Sequence, residues 1–200
     1  MTLTLDPRAT ALVIIDLQKG IVARQTAPHT TRQVVENCAR LGTRCEAAGA
    51  LVVLVHVAFA ANGVDRLAQP VDATMPAPAG GTPPDWAEFI PEIAKLHSEV
   101  VITKRQWGAF HGTELDLQLR RRGIDTIVLG GIATNFGVES TAREAWQHGY
   151  SVVVAEDACT SVSADMHAFA IEKILPRISR VRSTEEVLAA FAPAAGALGA

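Results

Sequence analysis

Short apolar runs alternate along this chain with longer segments of helical period. The runs are Ala11 to Ile15, Leu51 to Val57, Val100 to Thr103, Thr126 to Leu129, Ser151 to Val154 and Ile178 to Val181. Each is rich in Val, Ile or Leu and lacks polar alternation, as strands of a parallel sheet covered on both faces do. Strands separated by helices place the chain in the α/β class. Between the first two runs, Val34, Cys38, Leu41 and Cys45 share one helix face, and Gly49 follows as a stop signal. Leu115 and Leu119 share a face in the segment Thr113 to Arg122, where Arg120, Arg121 and Arg122 before Gly123 read as a helix C-terminus. Ser163 is expected to cap a helix through Leu175 that Pro176 ends, and Ser183 or Thr184 a last helix to Phe191. The small-residue tail Pro193 to Ala200 is expected to be loose.

The stretch from Ala58 to about Pro84 breaks this rhythm. It holds Asn62-Gly63, Pro70, Pro76, Pro78, Gly80-Gly81 and Pro83-Pro84 and no apolar period. A connection of that length in a compact domain is usually functional or disordered. Trp86 and Phe89 at its end supply anchors, so an ordered lid or an intersubunit loop is expected. With no repeat and no boundary signal, residues 1–200 read as one domain.

Composition narrows the function classes. At 200 residues, 48% hydrophobic and 20% charged, the chain is long enough to bury a core without disulfides. Eighteen Lys and Arg against 21 Asp and Glu give a formal charge of −3, which argues against nucleic acid or an anionic membrane as partner. No apolar stretch approaches the roughly 18 to 20 residues of a membrane span, and Met1 to Arg8 lacks a secretory pattern, so a cytoplasmic protein is expected. Cys38, Cys45 and Cys159 read as free thiols. The histidines, His29, His56, His97, His111, His148 and His167, form no H-x(3–5)-H pair and no H-E-x-x-H, so no metal is expected. The glycine-bearing segment Gly130 to Val138 matches neither G-x-G-x-x-G nor the P-loop pattern, and no cofactor is expected.

In open α/β sheets ligands bind at the carboxyl ends of strands, near the point where strand order reverses. Three strand ends carry chemistry. The first runs into Asp16, the third into Lys104, and the fourth into Gly130-Gly131-Ile132-Ala133-Thr134-Asn135-Phe136-Gly137-Val138, where a new helix points free N–H groups at the sheet edge. Taken singly, Asp16 is a cap, Lys104 a solvated cation and Asn135 an ordinary N-cap. Their joint position at three strand ends favours a site. Nearby, Trp107 and Phe110 offer apolar walls and Arg105 or His111 an anion contact; the aromatic pair reads equally as packing. Cys159 lies beyond a different strand and reads as a buried hydrophobe.

Asp16-Leu17-Gln18, Lys104 and Gly131 to Ala142, in that order, resemble the isochorismatase-like hydrolase superfamily, over roughly Thr4 to Phe191. The resemblance implies a three-layer α/β/α sandwich with a six-stranded parallel sheet, a homo-oligomer of dimer size or larger, and a non-proline cis peptide at Ile132-Ala133. In the cysteine hydrolases of that superfamily an Asp, a Lys and a nucleophilic Cys cleave amides. Their positions here are Asp16, Lys104 and Gly137, so the thiol is missing and covalent catalysis at residue 137 is excluded. Isochorismatases also carry Gly there, because cleaving a vinyl ether requires a proton donor and water. The resemblance therefore implies a small-molecule substrate, catalytic Asp16 and Lys104, and substrate contacts from Gln18, Trp107, Ala133, Thr134, Asn135 and Phe136. Two departures leave the substrate open: Gly20-Ile21 stands where relatives place an aromatic residue, and Ala133-Thr134-Asn135 where isochorismatases have Tyr-Ala-His. His56-Val-Ala-Phe59 lacks the metal motif of nicotinamidases. Burial raises the Asp16 carboxyl pKa and Lys104 lowers it, and the sequence leaves that balance open. The other class of reading is a binding or assembly protein that keeps the pocket without turnover.

Overall fold

The computed structural model describes residues 2–74 and 81–191. The expectations for Pro76, Pro78, Gly80 and the Pro193 to Ala200 tail fall outside them. Six strands form one sheet: β1 (Thr10–Ile15), β2 (Leu51–Val57), β3 (Val100–Lys104), β4 (Thr126–Ile132), β5 (Ser151–Thr160) and β6 (Arg180–Arg182). All pairings are parallel and the order is β3-β2-β1-β4-β5-β6. The helices are α1 (Lys19–Val22), α2 (Thr31–Ala48), α3 (Pro91–Ala94), α4 (Leu115–Arg121), α5 (Glu139–Gln147), α6 (Ala164–Phe169) and α7 (Thr184–Ala190).

Alternate residues of each central strand feed opposite cores, which is why these strands lack polar alternation. Leu12 and Ile14 of β1 pack with Val34, Cys38, Leu41 and Cys45 of α2 and Val187 of α7. Val13 and Ile15 face the other way, onto Leu115 and Leu119 of α4 and Ala142 and Ala145 of α5. The result is the expected three-layer α/β/α sandwich. The sheet edge departs from it, because β3 alternates, with Val100, Ile102 and Lys104 buried and Val101 and Thr103 exposed.

Helix ends follow local chemistry. Thr30 and Gln33 form a capping box at the start of α2, which ends at Gly49 in the left-handed region (φ 78°). Ser183 and Glu186 form a second box on α7. Ser163 stands at the N-cap of α6 as expected, its carbonyl accepting His167 N–H at 3.2 Å, but its Oγ makes no capping hydrogen bond. That helix also stops at Phe169 and widens into a π-turn, Ala170–Ile174, before a 3-10 turn carrying Pro176. The sixth run pairs as Arg180–Arg182 rather than from Ile178. The fifth strand runs past Val154 to Thr160, as pairing with β4 resumes after a register shift between Leu129 and Gly131. Among the described residues no helix is long and apolar enough to cross a membrane.

Candidate active site

Strand order reverses at β1, which lies between β2 and β4, so a crevice opens beyond the carboxyl ends of β1 and β4. A cavity of about 390 Å³ occupies it, lined by Asp16, Lys104 and Gly137 among others. Thus the three strand ends singled out in the sequence do converge.

Asp16 ends β1 in a left-handed conformation (φ 55°) that few non-glycine residues adopt, held by its N–H donating to Val55 O at 2.9 Å. It is 6% exposed, and Lys104, 2% exposed, donates from Nζ to Asp16 Oδ2 at 2.8 Å and to Gln106 O at 3.1 Å. An ammonium has three donors, so one Lys104 N–H is left for a ligand. Asp16 Oδ1 is buried with no partner. Burial pushes the Asp16 carboxyl above its ordinary range, and this outweighs the opposing charge and hydrogen bond of Lys104. The balance left open by the sequence thus falls towards the protonated acid.

The turn after β4 fits tightly against β1. At Gly131 (φ 127°) a Cβ would lie 2.1 Å from Ile15 O, so no side chain fits there. At Gly137 a Cβ would meet Ile15 Cγ2 at 2.9 Å and Asp16 Oδ2 at 3.2 Å. The Ile132–Ala133 peptide is cis, as the resemblance implies. Ala133 O accepts from both Phe136 N–H (3.1 Å) and Val138 N–H (3.2 Å), so these two groups are not available to an anion. Of the N–H groups that the new turn was expected to point at the sheet edge, those of Thr134, Asn135 and Gly137 at most remain for a ligand.

Of the expected substrate contacts, Trp107, Ala133 and Phe136 line the cavity, with Trp107 and Phe136 edge to face at 4.9 Å. Three do not. Gln18 is fully buried, its Nε2 donating to Val57 O and Trp86 O and its Oε1 accepting from Val57 N–H, so it fastens β1 to β2 and the 83–90 segment. Thr134 is turned to His167, with Oγ1 and Nδ1 2.8 Å apart. Asn135 Oδ1 accepts from Ser161 Oγ. Phe110 is core, and His111 lies outside the lining, whereas Arg105 reaches it. Cys159 is fully buried, and burial pushes its thiol far above the ordinary range, as an inert structural thiol requires.

Sequence reasoning missed three features. Trp86 lies where a side chain at Gly20 would need to be, 1.9 Å from a Cβ there, and so puts an aromatic wall on the cavity from a distant segment. Arg24 and Arg66 join Lys104 and Arg105 in the lining, where Asp16 is the one acid among the described residues. Arg66 comes in with Phe59, Leu67 and Thr82 from the described part of the stretch already expected to be ordered, which an Arg105–Asp65 ion pair at 3.0 Å ties down. The third feature is a cluster behind the turn. His29 Nε2 and His167 Nε2 lie 2.8 and 3.0 Å from Glu156 Oε1, and hydrogen bonds from His167 first and His29 second hold Glu156 down at about 2. Local histidine spacing could not reveal these donors, because the fold brings them from separate segments.

A family model for the isochorismatase domain matches residues 10–186. The chain is 52% identical over 189 residues to the isochorismatase family protein YecD of Escherichia coli O157:H7, covering 94% of this chain and 100% of that one. It is 50% identical over 187 residues to YwoC of Bacillus subtilis (strain 168), with 94% and 96% covered. A solved isochorismatase family protein from Burkholderia thailandensis superposes with a TM-score of 0.89 at 43% identity, covering 96% of this chain and 99% of that one.

Proposed function

The chain belongs to the isochorismatase family, and from that premise we propose that it hydrolyses a small anionic substrate without a thiol, with Asp16 as general acid and Lys104 orienting and stabilising charge. The observation that carries this reading is the Asp16–Lys104 pair at the base of the cavity, with the carboxyl pushed towards its protonated form and Gly137 pressed against it. A Cβ at residue 137 would press on Ile15 Cγ2 and Asp16 Oδ2, so a side chain there displaces its neighbours. In this reading Gly137 stands at the position of the nucleophile in the cysteine hydrolases and leaves Asp16 undisturbed.

Vinyl-ether hydrolysis suits this equipment. A proton from Asp16 to the terminal vinyl carbon leaves an oxocarbenium ion, water adds to it, and the resulting hemiketal breaks into pyruvate and an alcohol. The unpaired oxygen of Asp16 is Oδ1, and the acid proton rests there because Oδ2 faces the Lys104 ammonium. Arg24, Arg66 and the remaining Lys104 N–H favour carboxylates, while Trp86, Trp107 and Phe136 wall an apolar body. Pyruvate release from isochorismate by the purified protein tests the reading, with Asp16→Asn as the matched variant. Release that falls by about 10² to 10⁴ in the variant is the expected result. Undiminished release by the variant rejects Asp16 as the acid, and binding of anionic candidates without any turnover favours the binding-protein reading.

A further inference from the structure

We propose that His29, Glu156 and His167 form a divalent transition-metal site behind the catalytic turn. Their ligand atoms all lie within 4.8 Å of one another, and the two imidazole nitrogens stand 2.8 and 3.0 Å from the shared carboxylate oxygen. Ligand atoms bonded at 2.0 to 2.2 Å to one ion stand roughly 3 Å apart when adjacent on an octahedron and slightly farther apart on a tetrahedron. The two spacings to the carboxylate oxygen are close to the first, and the two imidazole nitrogens lie within 4.8 Å of each other. Two imidazoles and one carboxylate are donors for zinc, cobalt, nickel or iron, whereas calcium and magnesium prefer an all-oxygen set.

Each donor is fixed by its own element. The segment before α2 is bonded to the end of β5 through Ala27 N–H to Ser161 O (2.9 Å) and Ser161 N–H to Ala27 O (3.1 Å). Thr26 Oγ1 and Thr160 Oγ1 both donate to His29 O, at 2.9 and 2.7 Å. Glu156 stands within β5, and His167 is buried on α6 with its second nitrogen against Thr134 Oγ1 at 2.8 Å. A hydrogen bond at the second ring nitrogen is the usual outer support of a metal-bound histidine. The His29 and Glu156 side chains are part exposed, which leaves an entry side and room for water as a further ligand.

The site would share a hydrogen bond with the crevice. In a metal-free ring carrying one proton, Nε2–H donates to the Glu156 carboxylate, which can only accept, and Nδ1 accepts from the Thr134 hydroxyl. With metal on Nε2 the proton must sit on Nδ1, so His167 becomes the donor and Thr134 Oγ1 the acceptor. Thr134 starts the turn that carries Phe136 and Gly137 to the cavity, so metal binding reorients a group of that turn.

The test uses untagged full-length protein stripped with EDTA and titrated with Co²⁺, read by its visible d–d absorption, with Zn²⁺ as competitor. The proposal expects one Co²⁺ per chain, displaced by Zn²⁺, with affinity at least about tenfold weaker in His29→Ala. His29 is part exposed, so this variant is expected to stay folded, with circular dichroism as the check; Glu156→Gln is the second variant. Imidazole ¹⁵N spectra should move the His167 proton from Nε2 to Nδ1 on Zn²⁺ addition. No uptake at millimolar Co²⁺, or equal affinity in the wild type and both folded variants, would overturn the site.

Discussion

Asp16 and Glu156 are carboxylates at the carboxyl edge of one parallel sheet, and their surroundings drive them in opposite directions. Asp16 sits in apolar surroundings with one cation on one oxygen, and burial pushes its carboxyl up. Glu156 accepts from two histidines on one oxygen and is held down at about 2. Position near the carboxyl edge does not decide the chemistry; burial set against the donors aimed at the charged form does. An acid that gives up protons needs the first environment, and a fixed anionic ligand needs the second.

The contrast breaks most severely at Asp16, where Asp16→Asn removes the proton and turnover should fall by the two to four orders of magnitude stated above. Next comes Gly137→Ala. Its Cβ forces Ile15 and Asp16 to move, so we expect a stability loss of about 1–3 kcal/mol by urea unfolding, together with impaired turnover. A third test sharpens the contrast through pH. The folded state holds the Asp16 proton more tightly than the unfolded chain, so its contribution to stability is full below the ordinary 3.8 and is lost as pH rises through the folded-state value. Urea midpoints of the wild type should therefore fall relative to Asp16→Asn through that window; a relative rise would contradict the raised carboxyl. The smallest effect lies far from both carboxylates. Ser183→Ala removes the capping box of α7 and should cost about 1 kcal/mol, seen as a lower Tm with turnover unchanged.

Much of this was legible in local pattern. The apolar runs located the core of all six strands, and Asp16 and Lys104 stood out because each follows a strand end directly. What stayed hidden depends on contacts between distant segments. Gln18, Thr134 and Asn135 look like ligand-facing polar residues by position, yet the backbone of β2, His167 and Ser161 take up their bonds. The Trp86 wall fills a gap left at Gly20, a pairing across 66 residues that no local period records. The extra length of β5 was masked by Glu156 and Asp157, polar residues inside a strand whose pairing survives through a register shift. His29, Glu156 and His167 escaped because ligand spacing rules describe one segment, whereas these come from three.

The most direct test of the account is the titration of Asp16 itself, followed by its carboxyl ¹³C shift in protein carrying labelled aspartate, with Asp16→Asn to assign the signal. A midpoint clearly above 3.8 is the predicted result, and an alkaline fall in kcat/KM should track it. A midpoint at or below 3.8 would show that Lys104 outweighs burial, and would contradict the assignment of Asp16 as the acid.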